Sequence, residues 1–183
     1  MTENLTNKYC DDALCRIANG DVDALTVIYN KMGRRIFLLA FSILRDRESA
    51  EDVMQDTFLK IAAQARAYNE KSNAIAFILT ITRNLSLNLL AKRRRNASYE
   101  KSLDESREIV DVENYYSSSV KSVLEALSIL DDDERQIIVM KLDCGMKHKD
   151  IAILLGISES ACQKRYRRAL EKLKNYYKQE GKR

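Results

Sequence analysis

Four polar side chains near the C-terminus carry the clearest chemistry in this sequence. Helical spacing would present them together on one outward face. They are Gln163, Lys164, Arg167 and Arg168. Arg and Lys can bond to guanine edges or to phosphates, and Gln can bond to adenine in the major groove. Because no acidic residue occurs between Glu159 and Glu171, the pattern favours DNA contact over a solvated face of mixed charge.

The stretch around these residues has the pattern of a helix-turn-helix. Residues 148–169 read HKDIAILLGISESACQKRYRRA, in which an apolar stripe precedes Gly156. Gly156 permits a sharp turn, and Ser158 can cap the helix that follows. Cys162 falls where the two helices would cross, a place that suits a small apolar side chain. Other helical hairpins share part of this pattern, so a plain hairpin remains the alternative.

The cysteines and the single histidine suggest a second kind of chemistry. Cys144 and His148 lie four residues apart, which would make half of a zinc site on a helix. A complete site needs three or four ligands, and the other cysteines, Cys10, Cys15 and Cys162, form no Cys-x-x-Cys pair. We therefore expect no metal and no other cofactor, and we expect the thiols to be reduced.

The N-terminus lacks the features of a targeting segment. Residues 1–9 are polar, and no stretch approaches the ~20 apolar residues that a membrane span needs. We therefore expect a cytoplasmic protein with no membrane insertion.

The composition favours long helices with few turns. The 183 residues include no proline and only five glycines, although turns draw heavily on both residue types. Apolar residues make up 45% and charged residues 32%, which is the balance of a globular chain. The predicted fold is all-α, with two small helical domains joined by a flexible linker and the helix-turn-helix in the second domain.

Charge and periodicity divide the chain into three parts. Residues 1–95 carry repeated apolar stripes and end in the basic run Lys-Arg-Arg-Arg at 92–95. Residues 96–119 lose the stripe and hold six acids against two bases, which predicts a linker. Residues 120–183 form the predicted second domain.

Local signals also predict helix boundaries. A short helix over 9–19 should end at Gly20, because glycine readily adopts the left-handed conformation that caps the C-terminus of a helix. Asp131 and Glu134 have the spacing of a capping box for a helix over 132–143.

Taken in order, these motifs resemble those of one family. AEDVMQDTF is followed by TRNLSLN and an arginine run, and all of these precede the helix-turn-helix. The sequence is similar to RNA polymerase sigma factors of the extracytoplasmic-function (ECF) type in the sigma-70 family. The resemblance covers about residues 21–95, as region 2, and 120–178, as region 4. It implies a subunit, not an enzyme, that binds core RNA polymerase, recognises promoter DNA and helps to melt it, with an anti-sigma factor as a further partner.

The resemblance also implies roles for particular residues. Asp52, Gln55 and Asp56 would dock on core polymerase. Gln163, Lys164, Arg167 and Arg168 would read the upstream (minus-thirty-five) element. The residues implied at the downstream (minus-ten) element are Asn69, Asn73, Arg83, Asn84, Lys92, Arg93, Arg94 and Arg95. Asn69 and Asn73 belong to a polar break at residues 68–73, the capture loop, which would hold a base flipped out of the opening duplex.

The sequence departs from the family pattern at several positions. Phe77 stands where the family usually has Trp, and it should still fill the core. Asn88 replaces a common Asp, and Gln163 replaces a frequent basic residue. Asp131 stands where Pro usually opens a helix of region 4, and it should cap that helix instead. The fold expectation is unaffected, whereas the promoter sequence is left undefined.

Two alternatives from other classes remain at this point. One is an ordinary helix-turn-helix regulator that never contacts polymerase, which a polymerase pull-down would distinguish. The other is a helical metal-dependent hydrolase, which lacks support because the sequence has one histidine and no Glu-x-x-His pair.

Overall fold

The described part of the chain is mainly helical and contains no strand. The computed structural model describes residues 2–70, 72–99, 123 and 125–180. The chain divides into two compact units, Met1–Ser106 and Arg107–Arg183. The predicted all-α class, with a helix-turn-helix in the second part, is confirmed.

Unit 1 is a bundle of four long helices. They are α1 (Thr2–Ala18), α2 (Leu25–Leu44), α3 (Arg47–Gln64) and α4 (Ala74–Tyr99). Short 3-10 turns at Val22–Ala24 and Ala65–Ala67 connect α1 to α2 and α3 towards α4. α2 packs against α1, α3 and α4, and its side chains Ile28, Met32 and Ile36 are fully buried in the centre of the bundle.

The first helix is longer than the sequence pattern predicts. α1 begins at Thr2 rather than near residue 9. The apolar periodicity starts only at Cys10, and the preceding turn is held partly by a polar contact, since Asn7 accepts a hydrogen bond from the backbone of Ile75. The predicted end is confirmed, because Gly20 has a φ of 98° and donates its N–H to Ile17.

α4 contains a long apolar stretch. By length and composition it could cross a membrane, because an 18-residue window between Ala74 and Arg95 has a mean hydropathy of 1.5. The expectation that no stretch approaches this limit is therefore wrong. The apolar side chains serve the core, since Ile78 and Leu79 are fully buried and α4 packs against the other three helices.

The predicted linker lies largely outside the described residues. α4 continues to Tyr99, so residues 96–99 are helical. The rest of the predicted linker, 100–119, lies outside the described residues. The predicted domain boundaries at 95 and 120 therefore stay predictions.

Unit 2 contains the helix-turn-helix. After a helical stretch at 125–128, it comprises α5 (Asp132–Ile138), a π-helical turn (Val139–Asp143), α6 (His148–Leu155) and α7 (Glu159–Glu180). The capping box is confirmed, because Asp131 accepts from the Glu134 backbone at 2.9 Å and Glu134 accepts in return from the Asp131 backbone at 3.4 Å. The predicted helix over 132–143 thus changes from α to π geometry at its end.

The turn between α6 and α7 follows its predicted residues. Gly156 has a φ of 68° and ends α6, and the N–H of Ile157 reaches back to the carbonyl of Ala152 at 3.0 Å. Ser158 caps α7 by accepting from the N–H of Ala161 at 3.2 Å. Cys162 is fully buried, so its predicted role as a small core residue is confirmed.

Replacing Gly156 and Gly33 with alanine should change the stability of the protein in opposite directions. Gly156→Ala places a Cβ on left-handed backbone and should destabilise unit 2 by about 1 kcal/mol. Gly33→Ala, inside α2, should stabilise unit 1 by about 0.5–1 kcal/mol through helix propensity. Neither new Cβ would clash, since the nearest atoms at Gly33 are Tyr29 ring carbons at 3.9 Å and nothing lies within 4 Å at Gly156.

Denaturant unfolding of the full chain, followed by circular dichroism, would measure both shifts. Gly156→Asn is the matched control and should lose less than Gly156→Ala, because Asn tolerates the left-handed region. Shifts of the same sign for the two alanine variants would contradict the left-handed backbone of Gly156 or the helical backbone of Gly33.

Candidate nucleic-acid and protein interfaces

α7 presents the four predicted DNA-reading residues in two different settings. Lys164 and Arg167 are exposed and form no ion pair within the described part of the chain. Gln163 is half-buried and donates to the carboxylate of Glu159 at 3.4 Å. Arg168 is exposed, but its Nε lies 3.7 Å from the carboxylate of Glu134 on α5.

An acidic cluster at the start of α5 holds one edge of α7. The cluster consists of Asp131, Asp132, Asp133 and Glu134. Glu134 is only 1% exposed, and its Oε2 accepts a hydrogen bond from Lys172 at 2.5 Å. That bond raises the pKa of Lys172. Arg165 pairs with Asp133 in the same way. The cluster therefore caps α5 and also orients α7 against the start of α5.

α3 presents the predicted polymerase-docking residues on its exposed face. Asp52, Gln55 and Asp56 are all exposed, while Val53, Thr57 and Ile61 bury the opposite side. Leu59 lies seven residues after Asp52 on the same face and is 69% exposed. Leu59 is absent from the predicted docking residues, although its i+7 spacing from Asp52 is visible in the sequence. Leu59 therefore adds an apolar side chain to an exposed face that also carries Asp52, Gln55 and Asp56.

The basic end of α4 contains exposed side chains and one side chain that is paired within unit 1. Lys92, Arg94 and Arg95 are exposed, and Asn84 lies three helical turns before Arg95 on one face. The half-buried Arg83 stands three turns before Arg94 in the same way.

Arg93 is directed towards α3 instead. Its guanidinium donates to Asp46, the N-cap of α3, at 3.0 Å and also contacts Ser49. Although burial raises the pKa of Asp46, hydrogen bonds from Ser49 and Arg93 hold that pKa below its ordinary value. The structure thus gives Arg93 a partner within unit 1, and its contact with DNA stays a prediction.

The capture loop is anchored by its first residue, the aromatic Tyr68. Tyr68 is buried, packs on the ring of Phe77 at 5.2 Å and donates to Asp11 of α1 at 2.6 Å. Burial, and then the bond to Asp11, raise the pKa of Tyr68 to about 12. Asn69 is exposed, and Asn73 caps α4 by accepting from the N–H of Ala76 at 3.0 Å.

The proposed half of a zinc site is not assembled on one helix. Cys144 follows the π-helical turn and is buried, whereas His148 begins α6 and packs edge-on against Tyr166 at 5.0 Å. Among the described residues, no group of three or more His, Cys, Asp or Glu side chains could hold a metal.

Two family comparisons decide between the open interpretations. Residues 28–96 match the family described as Sigma-70 region 2, and residues 121–173 match the family described as Sigma-70, region 4. Together the matches cover more than half of the chain. The chain belongs to the sigma-70 family. A helix-turn-helix regulator without the polymerase-binding region is therefore not retained as an alternative.

Similar proteins assign this sigma factor to the ECF type. The ECF RNA polymerase sigma factor SigK of Mycobacterium tuberculosis is 25% identical over 171 residues, which are 90% of this chain and 91% of SigK. The probable RNA polymerase sigma factor RfaY of Xanthomonas campestris is 25% identical over 178 residues, but the match spans 40% of that longer protein. The crystallised sigma factor RpoE of Bartonella quintana, in complex with the anti-sigma factor NepR, superposes with a TM-score of 0.70 at 25% identity, covering 82% of this chain and 94% of RpoE.

Membership of the ECF sigma factors confirms the predicted family and general function. Such proteins are transcription regulators that direct RNA polymerase to promoters. Of two departures from the family pattern, Asp131 caps α5 as expected. Phe77 is half-buried rather than filling the core as expected, and its ring packs against Tyr68. The individual DNA and polymerase contacts remain assignments by resemblance.

Proposed function

We propose that this sigma factor recognises two promoter elements and melts the downstream one while bound to core RNA polymerase. The observation that carries the proposal is the arrangement of α7, whose exposed Lys164 and Arg167 face away from the buried Cys162 and Ala169. That is the geometry in which a recognition helix enters the major groove. The polymerase performs the chemistry, and the sigma factor supplies recognition, which makes it a non-enzymatic cytoplasmic subunit.

Each predicted surface has one role in this proposal. Exposed residues of α3 (Asp52, Gln55 and Asp56) dock on polymerase. Four residues of α7 (Gln163, Lys164, Arg167 and Arg168) read the minus-thirty-five element. Residues at or after the capture loop contact the minus-ten element: Asn69, Asn73, Arg83, Asn84, Lys92, Arg93, Arg94 and Arg95. The amides of Asn69 and Asn73 supply donors and acceptors for a flipped base, which offsets part of the stacking energy lost on opening.

Run-off transcription with core polymerase and a library of promoter fragments tests the proposal. Promoter-dependent transcripts that require both elements would support it, and permanganate footprinting of unpaired thymines would test melting. Transcription that ignores either element would refute promoter recognition by the corresponding unit.

The two arginines of α7 should differ in a way that separates DNA binding from stability. Arg167→Ala should weaken binding to the minus-thirty-five element by about 1–3 kcal/mol if it reads a base edge, with no change in thermal unfolding. Arg168→Ala should weaken binding similarly and also lower the melting temperature, because it removes the cation beside buried Glu134. Equal losses on intact and scrambled elements would make either residue a phosphate contact.

An anti-sigma factor is the partner that we propose for regulation. The support is the crystallised relative RpoE, which was solved in complex with the anti-sigma factor NepR. Co-purification of this chain with candidate anti-sigma proteins, and inhibition of run-off transcription by them, would test the assignment.

A further inference from the structure

Two side chains of α1 contact the two ends of the capture loop. Asp11 accepts a hydrogen bond from the hydroxyl of Tyr68, the first residue of the loop, at 2.6 Å. Asn7 accepts the backbone N–H of Ile75, just after the loop, through its Oδ1 at 3.1 Å. Because Asn7 and Asp11 are four residues apart, they lie on the same face of α1, one turn from each other.

The bond from Ile75 satisfies a backbone group that its own helix cannot. Ile75 is the second residue of α4, and the first N–H groups of a helix have no acceptor within it. Asn73 caps the next group, the N–H of Ala76, at 3.0 Å. The start of α4 is therefore held by two caps, one local and one from α1.

The other end of the loop is fixed by packing as well as by the Asp11 bond. The Tyr68 ring is buried against Phe77, and its hydroxyl also lies 3.3 Å from the carbonyl of Ser72 within the loop. Just before the loop, the Arg66 guanidinium donates to the last carbonyl of α1, at Ala18, at 3.4 Å. Both ends of the loop are thus tied to α1.

We infer that Asn7 and Asp11 are positioning residues for the capture loop. They hold its two ends at a fixed separation, so that Asn69 and Asn73 present their amides in one arrangement to an unpaired base. Ordering the loop in advance lowers the entropy lost when the base enters. The inference rests on the proposed melting function, and α1 lies outside the residues 28–96 that match the family.

The test measures base selectivity of the full chain bound to core polymerase. The probes are single-stranded oligonucleotides of the non-template minus-ten element from a promoter selected by run-off transcription, with each of the four bases at the flipped position. Asn7→Ala and Asp11→Ala should each reduce the affinity ratio between the best and worst base by about fivefold, and the double variant by about 20-fold. Asn7→Asp and Asp11→Asn keep an acceptor oxygen and should stay within about twofold of the native ratio.

Tyr68→Phe provides a second route to the same contact. It removes only the hydroxyl and leaves the ring on Phe77, so it should reproduce the Asp11→Ala loss without unfolding unit 1. Combined with Asp11→Ala, Tyr68→Phe should add little further loss of selectivity, because both changes break the same hydrogen bond. Affinity for core polymerase and helical content should stay unchanged in every variant.

Three outcomes would overturn the inference. Native selectivity in the alanine variants would show that α1 does not position the loop. Equal losses in the alanine and acceptor-keeping variants, or losses that track core binding, would show a contact that only supports the fold. If the native protein itself shows no base preference on these probes, the proposed melting function fails, and the inference fails with it.

Discussion

Replacing Asp52 and Asp56 together with lysine should weaken binding to core RNA polymerase by about 100-fold. Both carboxylates are exposed on one face of α3, so lysines there disturb no buried partner and should leave the helix intact. Reversing charges within a docking surface costs several kcal/mol, since attraction across the interface becomes repulsion. Titration of labelled protein with core polymerase measures the change.

The chain offers a matched control for this experiment. Asp12 on α1 and Asp23 in the following 3-10 turn are also exposed, and changing both to lysine alters the net charge by the same amount. The control should bind polymerase within about threefold of the native chain, because it lies off the proposed face. The affinity of the Leu59→Ala variant for core polymerase should lie between the affinities of the test and control variants. Similar affinities for the test and control variants would place the polymerase contact elsewhere.

Cutting the chain between its two units should reduce transcription by about 1,000-fold at roughly 1 μM of each fragment. When the units are joined, the second promoter contact is intramolecular, and the predicted linker would give it an effective concentration in the mM range. A protease site inserted between Ser106 and Arg107, the boundary of the two units, allows the cut to be made after folding. Run-off transcription before and after cleavage measures the loss.

The uncut protein carrying the inserted site is the control and should transcribe normally. Circular dichroism of the cut protein should show that its helical content is retained. Unfolding after cleavage would show that the units depend on each other for stability. Full activity of the mixed fragments would show that tethering contributes nothing to promoter binding.

Features set by neighbouring residues could be predicted from the sequence. The Asp131–Glu134 capping box, the left-handed Gly156 and the buried Cys162 each depend on side chains within a few positions. The helix-turn-helix followed from them, because its turn and its crossing point both have local signals. The order of the motifs then identified the family.

Features set by distant residues could not be predicted in this way. Arg93 belongs to a basic run that indicates an exposed surface, yet it pairs with Asp46, which lies 47 positions earlier. The start of α1 depends in part on a contact between Asn7 and Ile75, which are 68 positions apart. Polar contacts over such separations leave no periodic trace in the sequence, so only the folded chain reveals them.

The uninterrupted course of α4 fixes the distance between the residues at its two ends. The helix runs for 26 residues from Ala74 to Tyr99. At 1.5 Å per residue, the capping Asn73 and the basic Arg94 are about 31 Å apart along its axis. One strand of B-DNA covers that distance in about nine nucleotides. Because a continuous helix neither stretches nor bends easily, the contacts that we propose for Asn73 with a flipped base and for Arg94 with DNA would be held at a fixed separation. We therefore expect promoters to be selected for the spacing of these contacts as well as for their sequence.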